Sequence, residues 1–458
     1  MLRYERILLF YYYKLYHVLG IYEMDASDSW LAGRNSGNSM WQLTDLKYSR
    51  KYVVNTEVND VPIILWWTSS FGEDERYRHC GDKQCYFTKK RSSVTNPLLK
   101  AILFYGSNLE LDDLPIPRKK HVRWALFHEE SPRNNPMFIY QSALGLFNYS
   151  ATFSRYSDVP LTLLSLPGER ELITTSYFLP VKEKNLLLVT KKLAPVLYIQ
   201  SNCDTPNDRD SYIAELMKYI PVDSYGACLN NRRLPESLTV NYLEKLDADE
   251  FLTFAGQYKF TLAFENAVCD DYITEKLWRP LIVGSVPIYY GSPSFKDWLP
   301  NNTSAIAVED FESPKDLADF VIKLNNDNEN YEKYLVHKMS DNDNRRITNH
   351  RVLAALRARS RNSESLFGDT IRNFECHVCE KLHNTKSLST VTKKQFNCSL
   401  PKSVVPLKKN VSNLWTYQFS IDKCSAKLLV QHVSNGTKIN IDSFTRKAFE
   451  MYENNDCE

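Results

Sequence analysis

Apolar residues along this chain gather in short runs, each followed by polar or turn residues. "VPIILWWTSS" (61–70), "AILFYGS" (101–107) and "RWALFHEESP" (123–132) have the length and continuity of buried strands. "PVLYIQS" (195–201), "TLAFEN" (261–266) and "VPIYYG" (286–291) repeat the theme. Helical spacers lie between them. Ile213, Leu216, Met217 and Ile220 recur at helical spacing after a cap at Asn207 or Asp208, and "YITEKLWRPLIV" (272–283) joins two strands. Strands alternating with helices predict an α/β protein with parallel sheets covered on both faces. A charged helical stretch runs from Ser313 to about Ser360, and beyond it the periodicity fades.

The pattern divides the chain into four parts. Residues 1–57 hold an apolar stretch and a polar stem, 58–190 a first α/β domain, 191–365 a second, and 366–458 a cysteine-containing tail. The tail is rich in Lys, Asn and Ser and is expected to be a small disulfide-tied or partly disordered appendage. Near the start, "RILLFYYYKLYHVLGIY" is interrupted by Lys14 and His17. It is shorter than the ~20 apolar residues of a spanning helix, so residues 7–21 read as a weak single-pass membrane anchor or a signal peptide without a clear cleavage site, with membrane association favoured.

Composition narrows the function. With 458 residues, 43% of them hydrophobic, the chain can build more than one core. A net charge of +2 leaves no basic face for nucleic acid. There are 14 glycines and neither a dinucleotide fingerprint nor a P-loop. Ten cysteines suit an oxidising compartment. The sequons at Asn148, Asn301, Asn302, Asn397, Asn410 and Asn435 point the same way, to the lumen of the endoplasmic reticulum or Golgi.

Polar clusters follow three strands: Glu129–Glu130, Asp204–Asp210 and Glu265–Asn266. Ligands of open α/β sheets bind beyond the carboxyl ends of strands, so two facing domains would bring these clusters to one cleft. Asp270 and Asp271 read as helix-capping acids. Lys276 opposes the dipole of the helix it begins unless an anion sits there, and Arg209 repeats the arrangement. Two cations at two helix N-termini suit a diphosphate, with Glu275 available to sugar hydroxyls. A glycosidase needs two carboxylates, whereas a nucleotide-sugar transferase needs one, because its diphosphate leaves without a proton. Asp208-Arg-Asp210 and Asp247-Ala-Asp249 imitate metal-binding D-x-D motifs, but no required metal or other cofactor is expected. Cys376-His-Val-Cys379 reads as disulfide chemistry, without a partner motif for zinc.

"YKFTLAFENAVCDDYITEKLWRPLIVGSVPIYYGSPS" (258–294) resembles the signature of the α1,3-fucosyltransferase family. "RWALFHEESPRNNP", "FNYSATFSRYSDVPLT", "SNCDTPNDRDSYIAELMKYIPVDSYGACL" and "FECHVCEK" resemble the branch regarded as protein O-fucosyltransferases, so the likeness runs from about Val61 to Lys381. It implies a glycosyltransferase-B fold, two Rossmann-like domains facing across a cleft, with the acceptor domain first and the GDP-fucose domain second. It implies an inverting reaction with Glu130 as general base, Arg209 and Lys276 on the diphosphate, and Asn266, Tyr272 and Glu275 on the nucleotide or fucose. For that branch the implied acceptor is a Ser/Thr hydroxyl of a cysteine-rich EMI module. Fucosylation of N-acetylglucosamine in glycans is the alternative within enzymes, and an idle sugar-nucleotide-binding quality-control factor the alternative outside them.

Overall fold

A computed structural model describes residues 61–68, 75–239, 248–339, 346–359, 366–384, 389–405 and 414–457. The expected anchor and stem, Asp247 and Asn410 lie outside the described residues. Among the described residues, no helix is long and apolar enough to cross a membrane.

Two sheets form the frame. The first holds β1 (Ile63–Trp66), β2 (Arg76–Cys80), β3 (Lys83–Thr88), β4 (Leu99–Tyr105), β5 (Arg123–His128) and β6 (Tyr149–Thr152), in the order β2-β3-β1-β4-β5-β6. Only the β2–β3 hairpin is antiparallel. The second holds β7 (Val196–Gln200), β8 (Val222–Gly226), β9 (Phe260–Phe264), β10 (Val286–Tyr290) and β11 (Ile306–Ala307), all parallel, in the order β11-β10-β9-β7-β8. The alternating α/β architecture read from the sequence is present, as two separate sheets.

The second sheet is covered by helices adjacent to its strands in sequence. Helix α1 (Arg209–Leu216) follows β7 and buries Tyr212, Ile213 and Leu216 against one face. Helix α2 (Glu275–Val283) connects β9 to β10 and packs Leu277, Trp278 and Leu281 on the other. Thr274 caps α2 by accepting from the Lys276 N–H, and Gly284 ends it in the left-handed region at φ 70°.

The first sheet is built differently. Successive residues alternate between two apolar faces, Ile63, Leu65, Trp124 and Leu126 on one and Ile64, Trp66, Ala125 and Phe127 on the other. The chain from β1 to β6 carries few helices to cover them, and the tail supplies the rest. Helix α3 (Leu366–Asn384) lays Phe374, Val378 and Cys379 on one face. Helices α4 (Leu414–Asn435) and α5 (Ile441–Glu453) bring Trp415, Phe419, Leu428 and Phe444 to the other. The expected appendage is therefore integral to the first sheet. Its helices have partners remote in sequence, and several cysteines and polar residues, Glu375 among them, are buried in it.

Disulfides follow the same division. Cys80 and Cys85, near enough in sequence to bridge each other, instead join Cys376 and Cys379 of α3. Glu375 between those cysteines accepts from Trp66 Nε1 at 2.8 Å and pairs with Arg76 and Arg78 at 3.0 and 2.6 Å. A buried carboxylate with two guanidinium partners and an indole donor is satisfied, as burial of a charge requires. Cys203–Cys228, Cys269–Cys398 and Cys424–Cys457 complete the set, and no described cysteine is free.

Two predicted glycosylation positions meet the interior. Asn148 is buried, donating to Ser389 O and accepting from Arg118 and the Trp124 N–H. Asn301 is likewise buried, its amide donating to Arg346 O. Both side chains are therefore engaged in interior hydrogen bonds. Asn302, Asn397 and Asn435 are exposed.

Candidate active site

The loops after β5, β7 and β9 converge, as strand ends of open α/β sheets do. After β5, the two glutamates part. Glu129 accepts from Tyr105 Oη at 2.6 Å, within its own sheet. Glu130 faces the second sheet instead, where Tyr272 Oη donates to it at 3.4 Å. Adjacent residues beyond a strand diverge in this way because successive side chains alternate sides. Burial raises the Glu130 carboxyl above the usual range; Lys276 opposes that rise and Glu275 adds to it. Burial lifts Glu129 as well, to about 7.

The donor motif folds around a second buried carboxylate. Glu265 is fully buried after β9 and accepts from the Thr274 N–H at 2.8 Å and from Thr274 Oγ1. A Cβ on Gly291 would lie 2.5 Å from Glu265 Cγ, so only glycine allows β10 to end beside it. Lys276 Nζ sits 2.9 Å from Glu275 and 3.7 Å from Glu265. Burial works against the ammonium, but Glu275 and Glu265 outweigh it and hold Lys276 above the usual lysine range. Burial likewise disfavours the Glu275 carboxylate, yet Lys276 and Arg279 draw it down to about 2. The anion that the α2 N-terminus calls for is thus partly the protein's own Glu265, a role the spacing alone left open to a ligand.

Arg209 opens α1 and is fully buried, its guanidinium donating to Phe264 O at 2.8 Å and Asn202 O at 2.7 Å. No carboxylate lies within salt-bridge distance of it among the described residues, and its Nε is buried without a partner. Asn266 Oδ1 is likewise buried and unpartnered. Such groups are the polar atoms a ligand satisfies.

Asp271 departs from its expected role as a helix cap. It has a left-handed backbone at φ 64° and is buried at the boundary between the two sheets. There it pairs with Arg155 at 2.5 Å and accepts from Trp298 Nε1 and Ser294. Asp270 accepts from Asn397 Nδ2 at 2.7 Å. Of the D-x-D acids, Asp208 accepts from Ser211 and Ser403, Asp210 from Tyr198 at 2.8 Å, and Asp249 from Tyr177. Each is engaged separately.

Sequence reasoning missed the segment 389–405. Its backbone bonds to Phe147 O through Val391, to the Asp270 N–H through Asn397 O, to Val268 O through Ser399, and to Asn207 O through Val404. The Cys269–Cys398 disulfide pins it directly before the donor helix. Phe396 packs on Phe153 at 4.9 Å and stacks on His128 at 5.5 Å, joining both sides of the cleft in one apolar cluster. A sequon overlapping a cysteine was the available signal, and it names no partner.

Comparison with known proteins identifies the family. "Fucosyltransferase, N-terminal" matches residues 59–163, and "Glycosyltransferase family 10 (fucosyltransferase) C-term" matches residues 189–397. "GDP-fucose protein O-fucosyltransferase 3" of Xenopus laevis is 42% identical over 86% of this chain and 86% of its own length. The protein of that name from Homo sapiens is 48% identical over 75% of this chain and 70% of its own. A solved α1,3-fucosyltransferase with GDP-fucose aligns at 18% identity and a TM-score of 0.41, over 72% of this chain and 92% of that one. On the sequence matches, this chain belongs to glycosyltransferase family 10, the fucosyltransferases.

Proposed function

We propose that this chain is an inverting fucosyltransferase that moves L-fucose from GDP-fucose to a Ser/Thr hydroxyl of a protein, an EMI-type cysteine-rich module. The observation that carries the reading is the meeting of Glu130 with Tyr272: one carboxylate from the first sheet faces the helix entry of the second. The relatives' names supply the donor and the protein acceptor.

In this reading Glu130 takes the acceptor hydroxyl proton while the hydroxyl oxygen bonds to fucose C1 from the face opposite GDP. The C1–O bond to the diphosphate breaks in the same step, and the electron pair leaves with GDP. Lys276 and Arg209 meet the charge that develops there. Asn266, Tyr272 and Glu275 hold the nucleotide or the sugar. Burial, which raises the Glu130 carboxyl, moves it toward the range where a general base works best. Five disulfides support a secretory-pathway lumen, endoplasmic reticulum or Golgi.

The test incubates the chain with GDP-fucose and EDTA, offering either an EMI module or a glycan ending in N-acetylglucosamine, and weighs the products. A deoxyhexose on a Ser or Thr of the module is the expected result. A fucosylated glycan beside an unmodified module moves the acceptor to the alternative. GDP binding with neither product makes the chain a binding factor, and activity restored only by manganese removes the metal-free mechanism.

A further inference from the structure

Three residues after Glu130, on the same loop, lies an arginine that the mechanism above does not use. The guanidinium of Arg133 is half-buried, and its Nε is fully buried with no hydrogen-bond partner. Among the described residues no carboxylate is within salt-bridge distance of it. It lies within electrostatic reach of Glu130, Tyr272, Asp204 and Arg209. Burial is the largest force against its charge, and repulsion from Arg209 adds to it.

Arg133 is also held from an unexpected direction. The ring of Trp415, at the start of α4, lies 5.8 Å from its guanidinium carbon. The indole N–H of Trp415 donates to Asp204 Oδ1 at 3.0 Å, in the loop after β7 of the second sheet. Thus the C-terminal helix pair places one aromatic side chain between the loop carrying the base and the loop leading to Arg209. Stacking orients a guanidinium without neutralising it.

Two arginines near each other, one buried and one half-buried, and neither paired with a carboxylate, are a costly arrangement for a protein to keep. An anion reached by both removes the cost, and the groups that surround them belong to the donor site. We propose that Arg133 is a further diphosphate-binding residue, contributed by the first sheet, with Trp415 as the residue that positions it. This rests on the donor-site reading above. It would make the grip on the leaving GDP two-sided, Arg209 and Lys276 from one sheet and Arg133 from the other.

The experiment titrates GDP and, separately, guanosine into wild type, Arg133→Ala, Arg133→Lys and Trp415→Leu by calorimetry, with steady-state transfer alongside. Loss of one charge-assisted contact should weaken GDP binding about 10- to 100-fold in Arg133→Ala. Partial recovery is expected in Arg133→Lys, a smaller loss in Trp415→Leu, and unchanged guanosine binding in all. GDP affinity within twofold of wild type in Arg133→Ala overturns the assignment, as does a change confined to KM for the acceptor. Should Arg133→Ala fail to fold, Arg133→Gln, which keeps the stem against Trp415, decides by the same criterion. A wild-type chain that itself fails to bind GDP would instead remove the donor-site reading.

Discussion

The two walls of the cleft are made by opposite strategies. The second sheet is closed by helices that follow its own strands, and one of its disulfides, Cys203–Cys228, spans only 25 residues. The first sheet is closed by segments from the far end of the chain, through disulfides that span 296 and 294 residues. The local wall carries the long donor motif; the non-local wall carries Glu130 and, by its own tail, Trp415. A nucleotide site can be written in one continuous stretch because a strand end and the next helix N-terminus are adjacent in sequence. The surface opposite it needs residues brought together only by the fold.

The largest test of this contrast separates chemistry from donor binding. Glu130→Gln keeps shape but accepts no proton, so single-turnover transfer should fall about 10²- to 10⁴-fold while GDP affinity, set by the cations Arg209, Lys276 and Arg133, stays as in wild type. Because burial raises the Glu130 carboxyl, wild-type transfer should fall as pH drops through a value above the usual glutamate pKa. Loss of GDP affinity in Glu130→Gln would mean that the base and the donor grip are not separable.

Next in size is the tail. Replacing Cys376 and Cys379 together by alanine removes both long-range disulfides, and each such link is worth about 2–4 kcal/mol. Denaturant unfolding should show the first sheet melting well before the second, with the donor side binding GDP only weakly after the first transition because the Arg133 contact is lost. A single undivided transition would show that the walls fold as one unit.

Lys276→Ala sharpens the donor side. It should weaken GDP and GDP-fucose alike by about 10- to 100-fold, and lower thermal stability too, because the buried Glu265 loses its cation. Unaltered GDP affinity by calorimetry would leave Lys276 as a partner of Glu275 and Glu265 only.

The smallest effect belongs to Glu129. Its buried carboxyl titrates near 7 in the folded chain, against a reference value of 4.5. Between those values the folded state keeps a proton that the unfolded state has released, so wild-type stability declines as pH rises through this window. Glu129→Gln removes that dependence. Its melting temperature relative to wild type should therefore be higher at pH 8 than at pH 5, and transfer should slow less than in Glu130→Gln. Abolished transfer in Glu129→Gln with normal transfer in Glu130→Gln would exchange the two roles.

Much of this was legible beforehand, and unevenly. Strands β1, β4 and β5 of the first sheet and β7, β9 and β10 of the second, the helix begun by Glu275 and Lys276, and the family were readable because apolar runs and a contiguous motif report local geometry; the β2–β3 hairpin and the short β6, β8 and β11 were not. The Glu129/Glu130 divergence was readable from strand alternation alone. Asp271 was misread as a cap, since two acids before a helix usually are caps. Its real partner, Arg155, is 116 residues away. The sequons at Asn148 and Asn301 carried no sign that both side chains would be buried.

The sequence by itself therefore determined the α/β class, the family and the composition of the donor motif, because these depend on neighbours within a few residues. Only the tertiary structure decided that the tail supplies the helices covering both faces of the first sheet, and that Arg133, Trp415 and Asp204 meet. Those facts rest on contacts hundreds of residues apart, where the cost of closing the chain grows only slowly with its length and no local pattern records which surfaces will touch.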